Sequence, residues 1–200
     1  MGVCRKEGGD RRAGGGGDGF GVGAEPAELS AGVVEGAVLK DGSEVVFLEA
    51  DVLGEMPELM YLLLAVFDEI DSDLEREGVD VVVANPPYIS PRGYERETAR
   101  SVRLWEPKLA LVPEGGMEGD GFYPRIGRVA RRLEAGCVVA EVGGLEQARR
   151  VQMYWEGIGW EGTSIWRDFA GRGRTVVGWR KGWEWTKNGP NESGDHVLKT

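Results

Sequence analysis

Histidine is almost absent from this chain, at one residue in 200, and cysteine is scarce, at two. His196 stands alone near the C-terminus, and Cys4 and Cys137 lie far apart with neither in a Cys-x-x-Cys pair. That excludes the ligand spacing of a zinc site, and no metal is expected. Cys137, opening an apolar run, reads as a small buried hydrophobe. Long hydrophobic stretches are missing too: the longest, Leu59 to Phe67, falls well short of the ~20 apolar residues that span a bilayer. Positive charge is in deficit, with 24 Lys and Arg against 34 Asp and Glu and a net charge of −10. Attraction to a phosphate backbone is therefore not expected. The chain reads as a soluble monomer with neither a membrane nor a nucleic-acid partner. What is present, 41% hydrophobic residues and seven tryptophans, suits one globular domain with a real core.

Residues 1–23 are low in complexity and glycine-rich from Gly14 to Gly23, which predicts a disordered segment. The mix of Arg5, Lys6, Arg11 and Arg12 with Glu7, Asp10 and Asp18 does not make a transit peptide. Regular patterning begins at Val45. Val45–Leu48 predicts a strand, and Pro57 to about Glu75 a helix with proline in its first turn. Asp80–Ala84 predicts a buried parallel strand. Phe122, Ile126, Val129, Ala130 and Leu133 mark a helix over 121–134 that stops at Gly136. Cys137–Val142 reads as another buried strand. Leu145, Ala148, Val151 and Trp155 form one face of a further helix. Thr163–Arg167 and Arg174–Trp179, joined through Gly171-Arg172-Gly173, predict an antiparallel pair. The sum is an α/β fold with a mostly parallel sheet and an antiparallel strand pair at its C-terminal edge. Domain-like sequence runs over 24–182, and 183–200 is a polar tail.

Asn85-Pro86-Pro87-Tyr88 follows the Asp80–Ala84 strand, at the carboxyl end where open α/β sheets bind ligands. Two prolines fix φ twice and hold Asn85 extended. The stiff loop offers the Asn85 amide oxygen and the Pro86 carbonyl to one planar NH2 group, with Tyr88 as an aromatic wall. Such acceptors suit transfer to a poorly nucleophilic amide or amino nitrogen, which gains positive charge as it attacks. A plain proline turn after a strand is the alternative.

Ile89-Ser90-Pro91, Trp105 through Leu111 and Gly119 through Ile126 follow this tetrapeptide in order. Together they resemble the HemK/PrmC family of S-adenosylmethionine-dependent methyltransferases, which modify the glutamine of a Gly-Gly-Gln motif in peptide-chain release factors. The stretch from Pro91 through Pro113 is most similar to the fungal mitochondrial branch, so the resemblance implies a mitochondrial protein, with a cytoplasmic one as the alternative. The likeness runs from about Val45 to Arg180. Asn-Pro-Pro-Tyr alone is shared with amino-methyltransferases of nucleic acids; the Glu106-Pro107 and Gly121-Phe122-Tyr123 context points to the protein branch.

The resemblance implies a class I methyltransferase fold. It implies Asn85 and Pro86 as catalytic residues, Pro87, Tyr88 and Glu106 as further substrate contacts, Asp51 with neighbouring Val52 near the adenine, and Asn85 as a contact to the cofactor as well. Asp51 also reads as a helix cap or loop acid. Phe20–Pro26 resembles the family's second strand, with Gly23 where a ribose-binding acid is expected and Glu25 as its substitute. Gly14–Gly17 has no strand in front of it and reads as a linker rather than a cofactor turn. The cofactor half is thus expected to be cut short at the N-terminus, by truncation or by lost activity. A release-factor-binding remnant without catalysis and a nucleic-acid amino-methyltransferase stand as alternatives. Glu141 and Asp168, also at positions the family shares, read as structural.

Overall fold

The computed structural model describes residues 2–4, 33–38, 44–70, 78–113 and 118–189. In chain order the strands are β1 (Gly2–Cys4), β2 (Val33–Val38), β3 (Glu44–Leu48), β4 (Val81–Ala84), β5 (Cys137–Glu141), β6 (Gly162–Arg167) and β7 (Gly173–Trp179). The helices are α1 (Met56–Ile70), α2 (Pro91–Arg96), α3 (Arg100–Trp105), α4 (Tyr123–Arg132) and α5 (Leu145–Gly157). The chain divides into two units, residues 6–74 and residues 1–5 with 75–200.

In the first unit β2 and β3 pair antiparallel, with an irregularity between Val33 and Glu35. The predicted strand at Val45–Leu48 is β3. Its partner β2 was not predicted, because Glu35 and Gly36 interrupt the apolar pattern. The Asp41-Gly42 dipeptide between two β-branched runs is the hairpin signal that could have found it. Helix α1 begins beside Pro57 as expected, and the predicted extension to Glu75 falls outside the described residues.

The second unit is built on a five-stranded sheet in the order β1-β4-β5-β7-β6. Strands β4 and β5 are parallel, from Val81 opposite Cys137 to Ala84 opposite Ala140. Strand β7 runs antiparallel to both β5 and β6. The sheet is therefore mixed and not mostly parallel: β1 at one edge and β7 in the interior both run against β4, β5 and β6. Two local causes account for the course of β7. Asp168 closes a tight turn by accepting N–H bonds from Ala170 and Arg172, each at 2.9 Å, so β7 must double back on β6. Adjacent Val176 and Val177 are both fully buried, and a strand apolar on both faces belongs in the interior. Strand β4 is less covered than expected: Val82 and Ala84 are buried, but Val83 is exposed.

Both chain ends depart from expectation. Gly2–Cys4, inside the segment read as disordered, pairs antiparallel with β4 from Gly2 opposite Val83. Backbone pairing to an open strand edge needs little side-chain propensity, which is why composition does not reveal it. The remainder of the glycine-rich segment, including Gly14–Gly17 and Phe20–Pro26, lies outside the described residues. At the other end, the polar tail begins with packed residues. Trp183 packs on a core cluster of Cys137, Val177 and Trp179. A Cβ on Gly136 would fall 2.1 Å from the Trp183 ring, so Gly136 serves that close approach rather than capping α4. The left-handed residue after α4 is instead Glu134, at φ 54°. Thr186 is buried, and its carbonyl accepts the Trp166 indole N–H at 3.1 Å.

Helices α4 and α5 supply Ile126, Val129, Val151 and Trp155 to a core completed by Val82, Val138 and Ala140 of the sheet. Each fully buried valine or isoleucine among them contributes roughly 1.5–3 kcal/mol. Cys137 is buried as expected, and desolvation, reinforced by the charge of Asp80, pushes its thiol up to about 11. A raised value means the folded state holds the proton more tightly. The contribution is fully present below the unfolded thiol's value and is lost as pH rises through about 11. In a Cys4→Ser background, the urea midpoint is expected to fall between pH 9 and pH 11 and to flatten with Cys137→Ala. Rapid labelling of the native thiol at pH 8 would contradict its burial.

Candidate functional site

Parallel pairing of β4 with β5 sets their carboxyl ends side by side, so the chain leaves β4 at Asn85 next to Glu141 at the end of β5. Pro86 is buried and Asn85 is exposed. Among the described residues the Asn85 side chain and the Pro86 carbonyl have no hydrogen-bond partner. Both acceptors are thus left over by the fold itself.

Tyr88 is held at both ends. Its hydroxyl donates to Glu141 Oε1 at 3.2 Å, and its carbonyl accepts from Gln147 Nε2 at 3.2 Å. Burial, then the Glu141 carboxylate, raises the phenol above its ordinary value, with Arg174 opposing and Glu106 adding a smaller push. The hydroxyl therefore stays protonated at neutral pH. Ile89 N–H bonds Leu111 O at 2.9 Å and closes the base of an excursion that contains α2 and α3. Ser90 caps α2, its Oγ accepting Gly93 N–H at 3.0 Å, with Pro91 following at the start of the helix. Glu106 ends α3 on this excursion and is exposed.

Helix α5 supplies Gln147, buried just inside its first turn. Its Oε1 accepts Gly143 N–H at 2.8 Å. Its NH2 faces Asp120 Oδ1 at 2.8 Å, Gly119 O at 3.0 Å and the Tyr88 carbonyl. Arg150, one turn further on, grips Asp120 through Nε at 2.6 Å and through its terminal nitrogen at 3.0 Å. From α4, Tyr123 donates its hydroxyl to the Glu141 carbonyl at 2.8 Å. Its own carbonyl accepts the Trp155 indole N–H at 3.0 Å. Burial, then the charge of Asp120, holds Tyr123 protonated far above its ordinary value.

Of the predicted site residues, the structure brings together Asn85, Pro86, Pro87 and Tyr88, with Glu106 near enough for its charge to act on Tyr88. The Glu141 carboxylate takes the Tyr88 hydroxyl, a support of the loop that its place at a strand end did not reveal. Asp168 does have the structural role expected, and the backbone N–H of Arg172, with other bonds of its turn, holds its carboxyl below the ordinary value. Asp51 lies in the unit of residues 6–74, where its Oδ1 accepts Leu53 N–H at 2.8 Å in a local turn that includes Val52. Glu25 lies outside the described residues. Sequence reasoning gave no role to Asp120, Arg150 or Gln147. One signal was available: Gln147 falls on the same helical stripe as Val151 and Trp155, and a glutamine there needs buried partners.

No family model matches the chain. Among curated proteins it is similar to the "Probable MRF1 mitochondrial N(5)-glutamine methyltransferase" of Schizosaccharomyces pombe, 32% identical over 131 residues covering 58% of this chain and 41% of that protein. It is similar to the release factor glutamine methyltransferase of Clostridium acetobutylicum, 35% identical over 120 residues, 58% of this chain and 40% of that one. The protein of the same description from Fusobacterium nucleatum is 27% identical over 152 residues, 75% of this chain and 41% of that one. These relatives support the resemblance to the HemK/PrmC family read from the sequence. The chain spans about two fifths of the length of these relatives. The fungal mitochondrial likeness read from residues 91–113 agrees with the first of them.

Proposed function

We propose that this chain carries the acceptor side of a methyl transfer from S-adenosylmethionine to the glutamine amide of a Gly-Gly-Gln motif in a peptide-chain release factor, in a mitochondrion. The observation that carries this reading is the pair of unused acceptors, Asn85 Oδ1 and the Pro86 carbonyl, beside a tyrosine wall fixed at both ends. An amide nitrogen is a weak nucleophile because its lone pair is delocalised. As it attacks a methyl carbon it gains positive charge, and its hydrogens bond more strongly to both acceptors. Neutral Tyr88 lines the amide without competing for its hydrogens as a phenolate would. The Glu141 carboxylate keeps the ring in place.

The run β4-β5-β7-β6 with β7 reversed supports a class I methyltransferase fold for this unit. S-adenosylmethionine would supply an electrophilic methyl. Glu25, expected near its ribose, lies outside the described residues, and Asp51 Oδ1 accepts Leu53 N–H in its own turn. The reading to be separated from methyl transfer by experiment is a release-factor-binding module without catalysis.

Incubating the chain with methyl-labelled S-adenosylmethionine and a release factor separates the two. Label in the release factor, absent when its Gly-Gly-Gln glutamine is replaced, is the expected result. Release-factor binding without label would favour the binding module, and label on duplex DNA alone would overturn both.

A further inference from the structure

We propose that Gln147 is the positioning residue of the acceptor loop, holding Tyr88 and the 118–120 segment around one side-chain NH2 group. This rests on the methyl-transfer reading for its effect on turnover, but its effect on the loop stands on geometry alone. The NH2 of Gln147 faces Asp120 Oδ1 at 2.8 Å and the carbonyls of Gly119 at 3.0 Å, Tyr88 at 3.2 Å and Glu118 at 3.4 Å. Two hydrogens cannot serve four acceptors separately, so they are shared, and all four oxygens are drawn to one point. The orientation of the amide is fixed, since its oxygen meets a backbone N–H from Gly143 at 2.8 Å. Flipping it would set oxygen against four acceptors.

A second observation is independent of these bonds. Gly119 has φ +80°, and a Cβ on it would lie 2.3 Å from the Tyr88 carbonyl oxygen. Only glycine lets this segment press onto Tyr88 at that point. Gly143 closes the other side, where a Cβ would lie 3.2 Å from Tyr88 Cδ2. Tyr88 is therefore gripped by Gln147 with a glycine on each side. Arg150 anchors the grip: its two bonds to Asp120 leave that carboxylate fixed as one of the acceptors Gln147 faces. Gln147 touches no reacting atom. It acts by setting where Asn85 Oδ1 and the Pro86 carbonyl stand relative to the amide, and small displacements of acceptors lower turnover more than binding.

Gln147→Glu keeps the acceptor for Gly143 N–H and the side-chain shape, but removes the donors and sets a carboxylate against Asp120. Gln147→Met removes both functions with little change in volume. Hydrogen exchange of residues 85–89 and 118–121, followed by mass spectrometry on the full chain, is expected to rise 10-fold or more in both variants. Exchange in β5 and β7 should change less than 3-fold. Steady-state methyl transfer should show turnover falling on the order of 30-fold with KM moving less than 3-fold. A uniform rise in exchange across the sheet would mean a merely structural glutamine and would overturn the inference, as would loop exchange and turnover that stay unchanged. Should the unsubstituted chain transfer no methyl, the methyl-transfer reading fails by itself, and the selective exchange response still decides whether Gln147 holds the loop.

Discussion

Asn85→Ala is expected to lower turnover by on the order of 100-fold or more while leaving the fold intact. The side chain is exposed and without a hydrogen-bond partner among the described residues, so its loss should change stability by no more than ~0.5 kcal/mol. The function proposed for it is different in kind. Its oxygen bonds an amide hydrogen that becomes more acidic only as the nitrogen attacks. An interaction that strengthens toward the transition state appears in kcat, whereas uniform binding appears in KM. Steady-state kinetics with a release factor as substrate measure both. Asn85→Asp keeps an acceptor oxygen, gives up the NH2 and adds negative charge, and is expected to be better tolerated than alanine. Near-normal turnover in both variants would reduce Asn85 to a turn residue and remove the observation on which the proposed function rests.

The parts of the fold legible in the sequence are those whose side chains face one core. Cys137 through Glu141, buried on both faces for most of its length, reads as a strand because its first four residues are all apolar. Helix α5 reads from Ala148, Val151 and Trp155, all buried. The unread elements lack that coupling. No residue of α2 or α3 is buried, and Leu104 and Trp105 at 67% and 86% exposure give no periodicity to follow. Those helices are set by Ser90 and Pro91 at one end and by the Ile89–Leu111 bond at the base, local features that a search for apolar stripes passes over. The order of the sheet was not legible either. A hairpin connection says that β6 and β7 pair, but only the burial of both Val176 and Val177 says that β7 also pairs with β5.

The site divides along the same line. Asn85 through Tyr88 could be read because proline and tyrosine chemistry is local to the tetrapeptide. The supports of that loop come from 30 to 60 positions away: Tyr88 meets Glu141 across 53 residues and Gln147 across 59. Spacing of that length carries no pattern in a single sequence. Glutamine on an apolar stripe was the one readable trace, and its meaning depended on three carbonyls whose positions only the fold supplies.

Trp155→Ala is expected to be the most destabilising of these substitutions, at about 3–5 kcal/mol. Trp155 is fully buried, and two glycines make room for it: a Cβ on Gly127 would fall 2.6 Å from its Nε1, and one on Gly178 would fall 3.2 Å from its Cε3. Its ring also lies 6.5 Å from that of Trp160. A buried tryptophan removes roughly 200 Å² from water, about 5 kcal/mol at ~25 cal/mol per Å². The indole hydrogen bond to the Tyr123 carbonyl adds only ~1 kcal/mol net. Packing therefore outweighs the bond, and Trp155→Phe, which keeps most of the ring, should cost about 1–3 kcal/mol. Against a total stability of about 5–15 kcal/mol the alanine variant loses much of its margin. Urea denaturation gives both values. Because the Tyr123 hydroxyl, and not its carbonyl, reaches Glu141, the phenylalanine variant at full folded occupancy should keep turnover within about 3-fold of the unsubstituted chain. Equal destabilisation by alanine and phenylalanine would show instead that the hydrogen bond governs. A large loss of turnover in fully folded Trp155→Phe would extend the acceptor site through α4 into the core.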